Sequence, residues 1–374
     1  MSLPLVAVFT DLTDPRRDRN KLHSLSDILV IATCAVIGGA DSWEAIATYG
    51  RSKEAFFRRF LTLANGVPSH DTFYRVFATL NPKAFAAAFG RWMASACEAV
   101  GLVPIALDGK SVRGTKKATA TGCLHLVSAW AGTNRLTLAQ VSVPDGSNEI
   151  AAIPDLLAML ELTGAIVTLD AAGCQKEIAR QIRAQGGEYL LAVKGNQPTL
   201  RAAVEQVFSE ACEADFGGVT FDQHSTEEDG HGRHEERSVT VIPDPKGLPA
   251  GWPDAHAVVQ VNRERAVNGV NVSTTHYFIS SHRGTAQELG GVIRGHWGIE
   301  NGLHWILDVV FREDASRTQD ATAATNWAMI RKVAVALLKR APGKDTTPTK
   351  RLRAGWDDDF LLQVLQGIPE DLSA

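Results

Sequence analysis

Apolar residues recur at helical spacing through residues 1–100, so this region is predicted to be helical. Ser24 or Ser26 would cap a first long helix around the apolar run 28–37, which the two glycines at 38 and 39 would end. Ser42 and Ser69 would cap two further helices. The remaining helices of the region are predicted at 53–63 and 82–100.

The pattern changes at residue 103, where short apolar or alternating segments replace the helical spacing. These segments predict strands at 103–107, 123–130, 136–143, 165–169 and 188–193. Helices are predicted at 147–162 and 175–184, and from Pro198, since proline is favoured at the first helical position. Three consecutive strands followed by alternating helices and strands are the order of the ribonuclease H-like fold, which belongs to the α/β class.

Residues 215–282 interrupt this alternation and predict a β-rich insertion, with strands at 237–241, 257–261 and 270–279. Two long helices are predicted after it, at 286–310 and 321–339, followed by a polar linker at 341–350. The predicted domains are therefore a helical N-terminal domain (1–100), a ribonuclease H-like domain (101–340) and a C-terminal tail with a short helix (341–374).

Composition narrows the class of protein. Of the 374 residues, 45% are apolar and 21% charged, as in ordinary globular proteins. The net charge of −4 disfavours a protein that only coats nucleic acid, but it leaves room for a local basic surface. The odd number of cysteines, none in a C-x-x-C pair, disfavours a disulfide framework and a cysteine zinc site. With no secretion signal and no apolar run long enough for a bilayer, a cytoplasmic location is expected.

Two of the predicted buried strands end in an aspartate, Asp108 and Asp170. If these strands are adjacent and parallel, the two carboxylates meet at one edge of the sheet, where α/β proteins place their reactive centres. Two carboxylates without a basic partner repel each other, and divalent cations remove that cost. Mg²⁺ prefers such oxygen ligands. A pair of ions about 4 Å apart can activate an attacking oxygen and stabilise a leaving oxygen, which indicates phosphoryl transfer on a nucleic acid.

A third carboxylate is expected in the segment 294–305, RGHWGIENGLHW. Glu300, His304 and Asp308 are spaced to share one face of a helix. Glycines also recur at helical spacing, at 291, 295, 298 and 302, which suits a face that approaches the sheet or a DNA backbone closely. The alternative is a buried helix with an internal salt bridge.

Several longer motifs resemble one protein family. They are DPRR (14–17), GVPSHDTFYRVF (66–77), LDGKSVRGT (107–115), SNEI (147–150), TLDAAGCQKEIA (168–179), LAVKGNQPTL (191–200), HGRHEER (231–237), RGHWGIENGLHWILDVVFREDASR (294–317) and RAGWDDDFLLQVL (353–365). Together they resemble the ISAs-one family of bacterial insertion-sequence transposases. This family includes the H-repeat-associated proteins and belongs to the DDE transposases. The motifs occur in order and span nearly the whole chain.

The resemblance implies that Asp108, Asp170 and Glu300 are the catalytic, metal-binding acids. Related transposases often carry tyrosine, arginine and lysine around this glutamate, where this chain has Ile293, His296 and Leu307. Gly146 also stands where relatives usually have lysine, so one basic contact is missing.

Basic and polar residues beside the predicted site are candidates for contacts to DNA phosphates, which position DNA without reading its sequence. They are Arg75, Lys110, Arg113, Lys194, Asn196, Arg294, His296 and His304. Solvent-exposed turn lysines, and an N-terminal bundle that only packs on the next domain, are the alternatives. His231 and His234 are interpreted as a polar hairpin tip rather than a zinc pair. Trp297 and Trp305 are predicted to be core residues.

The resemblance implies an enzyme that binds the terminal repeats of its own element, cleaves the ends and joins the 3′-hydroxyls to target DNA. Two Mg²⁺ ions are the expected cofactors, with Mn²⁺ as a substitute. The expected partner is double-stranded DNA, bound by a homodimer or larger assembly associated with the bacterial nucleoid. Two alternatives stay open: a nuclease of the same fold that cuts without joining, and a DNA-binding relic.

Overall fold

The computed structural model describes residues 4–10, 12–95, 102–120, 122–230, 233–267 and 270–367. The helices are α1 (Pro4–Val8), α2 (Leu25–Ile37), α3 (Trp43–Ser52), α4 (Glu54–Phe57), α5 (His70–Thr79), α6 (Pro82–Ser95), α7 (Glu149–Leu157), α8 (Lys176–Ala184), α9 (Pro198–Glu213), α10 (Ala286–His296), α11 (Trp305–Val309), α12 (Ala321–Arg340), α13 (Thr347–Trp356) and α14 (Asp358–Gln366). Short 3₁₀ turns lie at Asp18–Asn20 and Glu313–Ala315, and a π-helical turn at Glu300–His304.

The strands are β1 (Val103–Val112), β2 (Leu124–Ala131), β3 (Leu136–Ser142), β4 (Ala165–Leu169), β5 (Glu188–Val193), β6 (Asp222–Gly230), β7 (Arg233–Pro243), β8 (Ala257–Val267) and β9 (Val270–Ser280). The chain divides into two units. The first contains Met1–Glu98, Gly109–Met159 and Ile299–Ala374, and the second contains Ala99–Asp108 and Leu160–Gly298.

The N-terminal helices begin where the sequence predicts. The hydroxyls of Ser24, Ser42 and Ser69 each accept a hydrogen bond from the backbone N–H three residues later, which satisfies a donor at the first turn. The ends agree less well. The helix predicted at 53–63 is only the single turn α4, and α6 is described to Ser95, so the rest of the predicted 82–100 helix lies outside the described residues.

Helix α12 lies in the core of the first unit. It packs against α2, α5, α6 and β3, and nearly all of its residues from Ala323 to Leu338 are buried. The Asn326 side chain donates to the backbone carbonyls of Phe77 and Leu80, so it satisfies acceptors at the end of α5. The N-terminal helices are therefore held on α12.

Strand order confirms the ribonuclease H-like prediction. In the first unit the order is β3-β2-β1, and in the second it is β1-β4-β5-β9-β8-β7-β6. Strand β1 takes part in both because the division between units falls within it. β2 and β3 are antiparallel, whereas β4 is parallel to both β1 and β5. Three consecutive strands followed by crossover-connected parallel strands are the predicted arrangement.

The region 215–282 contains four strands, not the three predicted. The missed strand, β6, has the polar sequence DQHSTEEDG and pairs along its length with β7. All four strands extend the sheet, since β9 pairs antiparallel with β5. Helix α10 packs its apolar residues Ala286, Leu289 and Ile293 against β4, β7 and β8. The predicted domain boundaries stay a prediction.

In the described part of the chain, no helix is both long and apolar enough to cross a membrane.

Candidate active site

Asp108 and Asp170 lie at equivalent places on neighbouring strands of the second unit. The parallel ladder between β1 and β4 runs from Val103↔Ala165 to Leu107↔Leu169, so each aspartate is the next residue after the last pair. Adjacent strands are about 4.8 Å apart, which makes the two aspartates neighbours. The prediction that Asp108 ends its strand is wrong, because β1 continues to Val112 with β2 as its other neighbour.

The loop after β4 is held by the loop after β5. Asn196 donates through Nδ2 to the carbonyl of Ala171 at 2.6 Å, and Gln197 donates through Nε2 to the carbonyl of Cys174 at 2.9 Å. Within the loop, the Gly173 N–H donates to Asp170 Oδ1 at 3.2 Å. These contacts fix the backbone next to an exposed carboxylate. Sequence reasoning missed this role of Asn196, which it assigned to DNA.

Gly173 is required by close packing in the same loop. A Cβ at this position would lie 2.6 Å from Leu169 Cδ2 and 2.9 Å from Leu169 Cβ. Any side chain would therefore push the loop away from β4 and shift the backbone that follows Asp170.

His296 is the last residue of α10 and faces β4. Its Nδ1 shares a hydrogen bond of 2.8 Å with Thr168 Oγ1, two residues before Asp170. Burial lowers the pKa of the imidazole, against the opposing effect of the Asp170 charge. The lowered pKa favours the neutral ring, and the hydrogen bond to Thr168 joins the end of α10 to β4.

Glu300 begins the π-helical turn of the first unit and is exposed to solvent. The Trp305 N–H bonds to the Glu300 carbonyl, five residues back, which defines the wider turn. Lys339 donates to the Gly302 carbonyl in the middle of this turn. Single π turns within helices occur frequently at functional sites. The helix predicted at 286–310 is interrupted rather than regular, since α10 ends at His296 and the chain continues through the π turn into α11.

Three of the four glycines of this segment face open space, and the fourth, Gly302, lies against Trp130 of β2. A Cβ at Gly291, Gly295 or Gly298 would meet no atom of the described chain within 4 Å, and one at Gly302 would make only ordinary contacts. Two uses were predicted for these glycines, and close packing on the sheet is wrong for Gly291, Gly295 and Gly298. The open face that remains is compatible with the approach of another molecule.

Lys110 is not a free cation in this structure. Its Nζ lies 2.6 Å from Asp308, 3.0 Å from Glu313 and 3.4 Å from Asp314, and 9% of its side chain is exposed. His304 lies in the same charged region of the first unit. Burial, followed by the charges of Lys332 and Lys110, lowers its pKa to about 4, so its ring is neutral at pH 7.

The remaining predicted DNA contacts differ in exposure. Arg75 and Lys194 are exposed, and 82% of the Arg113 side chain is exposed. Arg294 instead forms a two-point ion pair with Glu228 on β6. That these residues contact DNA stays a prediction. The charges that face solvent are those of Arg75, Lys194 and Arg113.

The two tryptophans of the segment are not core residues, so that prediction is wrong. Trp297 is 55% exposed and Trp305 is 54% exposed. At the tip of the β6–β7 hairpin, His234 pairs with Asp229 at 2.9 Å, as expected for a polar tip, while His231 lies outside the described residues.

The oxygen ligands at the edge of β1 and β4 fit a divalent ion. Two adjacent aspartates, one exposed and one half-buried, are the type of ligand that Mg²⁺ prefers. Within the described ranges, no group of three or more His, Cys, Asp or Glu side chains is arranged to hold a metal ion. Strand geometry thus supports Asp108 and Asp170 as candidate metal ligands, and the sequence motif supports Glu300.

Comparison with known proteins supports the same family. A family model described as Transposase DDE domain matches residues 101–337, and one described as DDE_Tnp_1-associated matches residues 6–93. The chain is 36% identical over 370 residues to Putative transposase YncI of Escherichia coli O157:H7, covering 96% of this chain and 93% of that protein. It is 35% identical over 365 residues to H repeat-associated putative transposase YhhI of Escherichia coli K12, covering 95% and 96%.

Two further proteins are similar to this chain. The chain is 46% identical over 280 residues to an uncharacterised protein in the dhlA 3′ region of Xanthobacter autotrophicus, covering 73% of this chain and 93% of that protein. The solved piggyBac transposase synaptic complex with hairpin DNA covers 99% of this chain and 79% of its own, with a TM-score of 0.41 and 10% identity, values too low to support an argument. The DDE domain match spans more than half of the chain, and two relatives above 30% identity align along nearly all of it, so the chain belongs to the DDE transposases, a family of DNA-cleaving and DNA-transferring enzymes.

Proposed function

We propose that this protein is the transposase of an insertion sequence, which binds the terminal repeats of its element, cleaves the ends and joins the 3′-hydroxyls to target DNA. The observation that carries the proposal is the position of Asp108 and Asp170, each directly after the last paired residue of two adjacent parallel strands. The family match supports the reaction class.

Asp108, Asp170 and Glu300 would hold two Mg²⁺ ions, for which Mn²⁺ can substitute. Such a pair of ions supplies activation of the attacking oxygen and stabilisation of the leaving oxygen. The protein contributes the fixed positions of the acids. Hydrogen bonds from Asn196 and Gln197 hold the loop that follows Asp170.

Contacts to DNA phosphates are assigned first to Arg75, Arg113 and Lys194, because their charges face solvent. Five other candidates bond within the protein or lie buried in it, so they come second as phosphate contacts: Lys110, Asn196, Arg294, His296 and His304. Joining two ends in one reaction requires that both are held together. We therefore propose a homodimer or larger assembly on double-stranded DNA of the bacterial nucleoid.

A cleavage and joining assay tests the proposal. Purified protein is incubated with DNA that carries the element's own ends, a plasmid target, and either Mg²⁺ or EDTA. Asp108→Ala, Asp170→Ala and Glu300→Gln are compared with two variants of exposed, ion-paired carboxylates, Asp155→Ala and Glu205→Gln.

The expected result is a joined product that requires Mg²⁺ and that persists in both control variants. In all three site variants the product should disappear while DNA binding is retained. Cutting without joining would assign a nuclease of the same fold. End binding without any chemistry in Mg²⁺ or Mn²⁺ would assign a DNA-binding relic and refute the proposal.

A further inference from the structure

Two motifs that lie about two hundred residues apart in the sequence lock together in the first unit. Residues 110–117 follow Asp108 and form the end of β1 and the turn after it. Residues 308–319 follow the π turn that begins at Glu300. We call the contacts between these two segments the interlock. Apart from Lys110, its side chains have no role in the proposed chemistry.

The centre of the interlock is the buried ammonium group of Lys110. It contacts Asp308 on α11 at 2.6 Å, Glu313 at 3.0 Å and Asp314 at 3.4 Å. Glu313 is the most enclosed of these acids, with 1% of its side chain exposed, and Arg331 lies 4.0 Å from it on the other side. A buried charge that already has several partners cannot also serve as an exposed phosphate contact.

Backbone contacts extend the interlock on both sides of Lys110. The Arg113 N–H donates to Asp314 Oδ1 at 3.1 Å, and the Lys117 N–H donates to Gln319 Oε1 at 2.9 Å. The Gln319 side chain donates in return to the Gly114 carbonyl at 3.1 Å. The two segments therefore have a single register relative to each other.

Gly114 shows how tightly the segments fit. A Cβ on Gly114 would lie 2.2 Å from the carbonyl oxygen of Ser316 and 2.7 Å from that of Asp314. Such an approach between two backbones leaves no room for a side chain, so it fixes distance as well as register.

Buried ion pairs of this kind add little net stability compared with apolar packing, but one charge left alone in the interior is strongly unfavourable. In some proteins, buried polar groups select one arrangement of the elements that carry them. Here those elements are the strand that continues from Asp108 and the helix that continues from Glu300. We propose that Lys110 is a positioning residue rather than a residue that binds DNA phosphate. Through the interlock it would hold in place the segments that follow Asp108 and Glu300, the carboxylates proposed for metal binding. This rests on the proposed function.

The test compares Lys110→Met, Asp308→Asn and the double variant with the parent. Lys116→Met removes an exposed lysine from the same turn and serves as the matched control. Three quantities are measured for each: hydrogen exchange of residues 305–316, the salt dependence of binding to end DNA, and the cleavage rate at saturating DNA across a Mg²⁺ titration.

If Lys110 is a positioning residue, backbone hydrogen exchange of residues 305–316 should be faster in Lys110→Met than in the control Lys116→Met. The affinity for end DNA and its salt dependence should be the same in these two variants. The cleavage rate should fall by about 100-fold, as for small misplacements of catalytic groups, and more Mg²⁺ should be needed for half-maximal rate. The double variant should be no slower than Lys110→Met, because the two side chains act as one pair.

Unchanged exchange in Lys110→Met, with weaker DNA binding and a salt slope lowered by about one, would overturn the proposal and return Lys110 to the phosphate contacts. If the parent protein cleaves no DNA, the proposed function fails, while the exchange measurement still decides whether Lys110 holds the two segments together.

Discussion

Replacing the buried Lys332 by methionine should change how stability depends on pH. Lys332 lies on α12 and is fully enclosed, with Nζ donating to Ser128 Oγ at 2.8 Å and to Gln140 Oε1 at 2.6 Å. Burial lowers its pKa from 10.5 to about 8, against the opposing effect of the Glu313 charge. In the unfolded chain the same lysine titrates near its ordinary value.

The sign of the effect follows from proton binding. Between pH 8 and pH 10.5 the unfolded chain holds a proton on Lys332 that the folded chain has lost, so stability rises with pH in this window. Below pH 8 the folded protein carries the full cost of the buried charge. The difference between the two pKa values, at about 1.4 kcal/mol for each pKa unit, gives about 3.5 kcal/mol in total.

The assay is urea unfolding of the parent and of Lys332→Met at pH 7, 8.5 and 10. Titration of other groups is common to both proteins, so the difference between their free energies of unfolding isolates Lys332. Methionine keeps most of the side-chain volume but leaves Gln140 without its donor, which sets a constant offset. Between pH 7 and pH 10 the parent should gain about 2.5 kcal/mol relative to the variant, because Lys332 of the unfolded chain is still mostly protonated at pH 10. Lys116→Met, which removes an exposed lysine, should show no such trend, and a difference that stays constant from pH 7 to pH 10 would refute the reasoning.

Three further substitutions test other parts of the structure. Gly173→Ala should cost about 1–3 kcal/mol of stability by urea unfolding and slow DNA cleavage, since its Cβ would lie 2.6 Å from Leu169, whereas Gly195→Ala, with no atom within 4 Å, should change stability little. Asn196→Ala should lower stability by about 1 kcal/mol through loss of the bond to Ala171, with the salt slope of DNA binding unchanged; a slope lowered by about one would mean that Asn196 contacts phosphate. Arg75→Ala should weaken binding to the element's ends in a gel-shift assay while metal-dependent cutting of nonspecific DNA stays detectable, and unchanged end binding would place end recognition elsewhere.

The parallel strands were the most predictable part of the fold. β4 and β5 occupy the predicted residues, because a short apolar run between turn residues leaves few alternatives. β6 was missed because its nine residues have no apolar alternation, and it is a strand only through pairing with β7. The interruption after α10 was also missed. Apolar residues keep their helical spacing through 286–310, whereas the π turn depends on the backbone hydrogen bond from Trp305 to Glu300.

The burial of individual side chains was predicted less well. Trp297 and Trp305 were expected in the core from their residue type, but more than half of each residue is exposed. Lys110 was expected at a DNA phosphate from its place beside Asp108, and its three carboxylate partners lie about two hundred residues further along the chain. A residue's type indicates what it can bind, and the fold decides which partner it meets.

By itself, the sequence determined the order of the first five strands, three caps of the N-terminal helices and the identity of the acids proposed for metal binding. These depend on periodicity, capping residues and motifs within about twenty residues of chain. Only the tertiary structure decided that Asp108 and Asp170 follow the same rung of a parallel ladder, that Asn196 supports the loop after Asp170, and that Lys110 joins the interlock. The physical reason is that strand pairing, burial and ion-pair formation bring together residues far apart in sequence, and local patterns carry no record of which distant groups will meet.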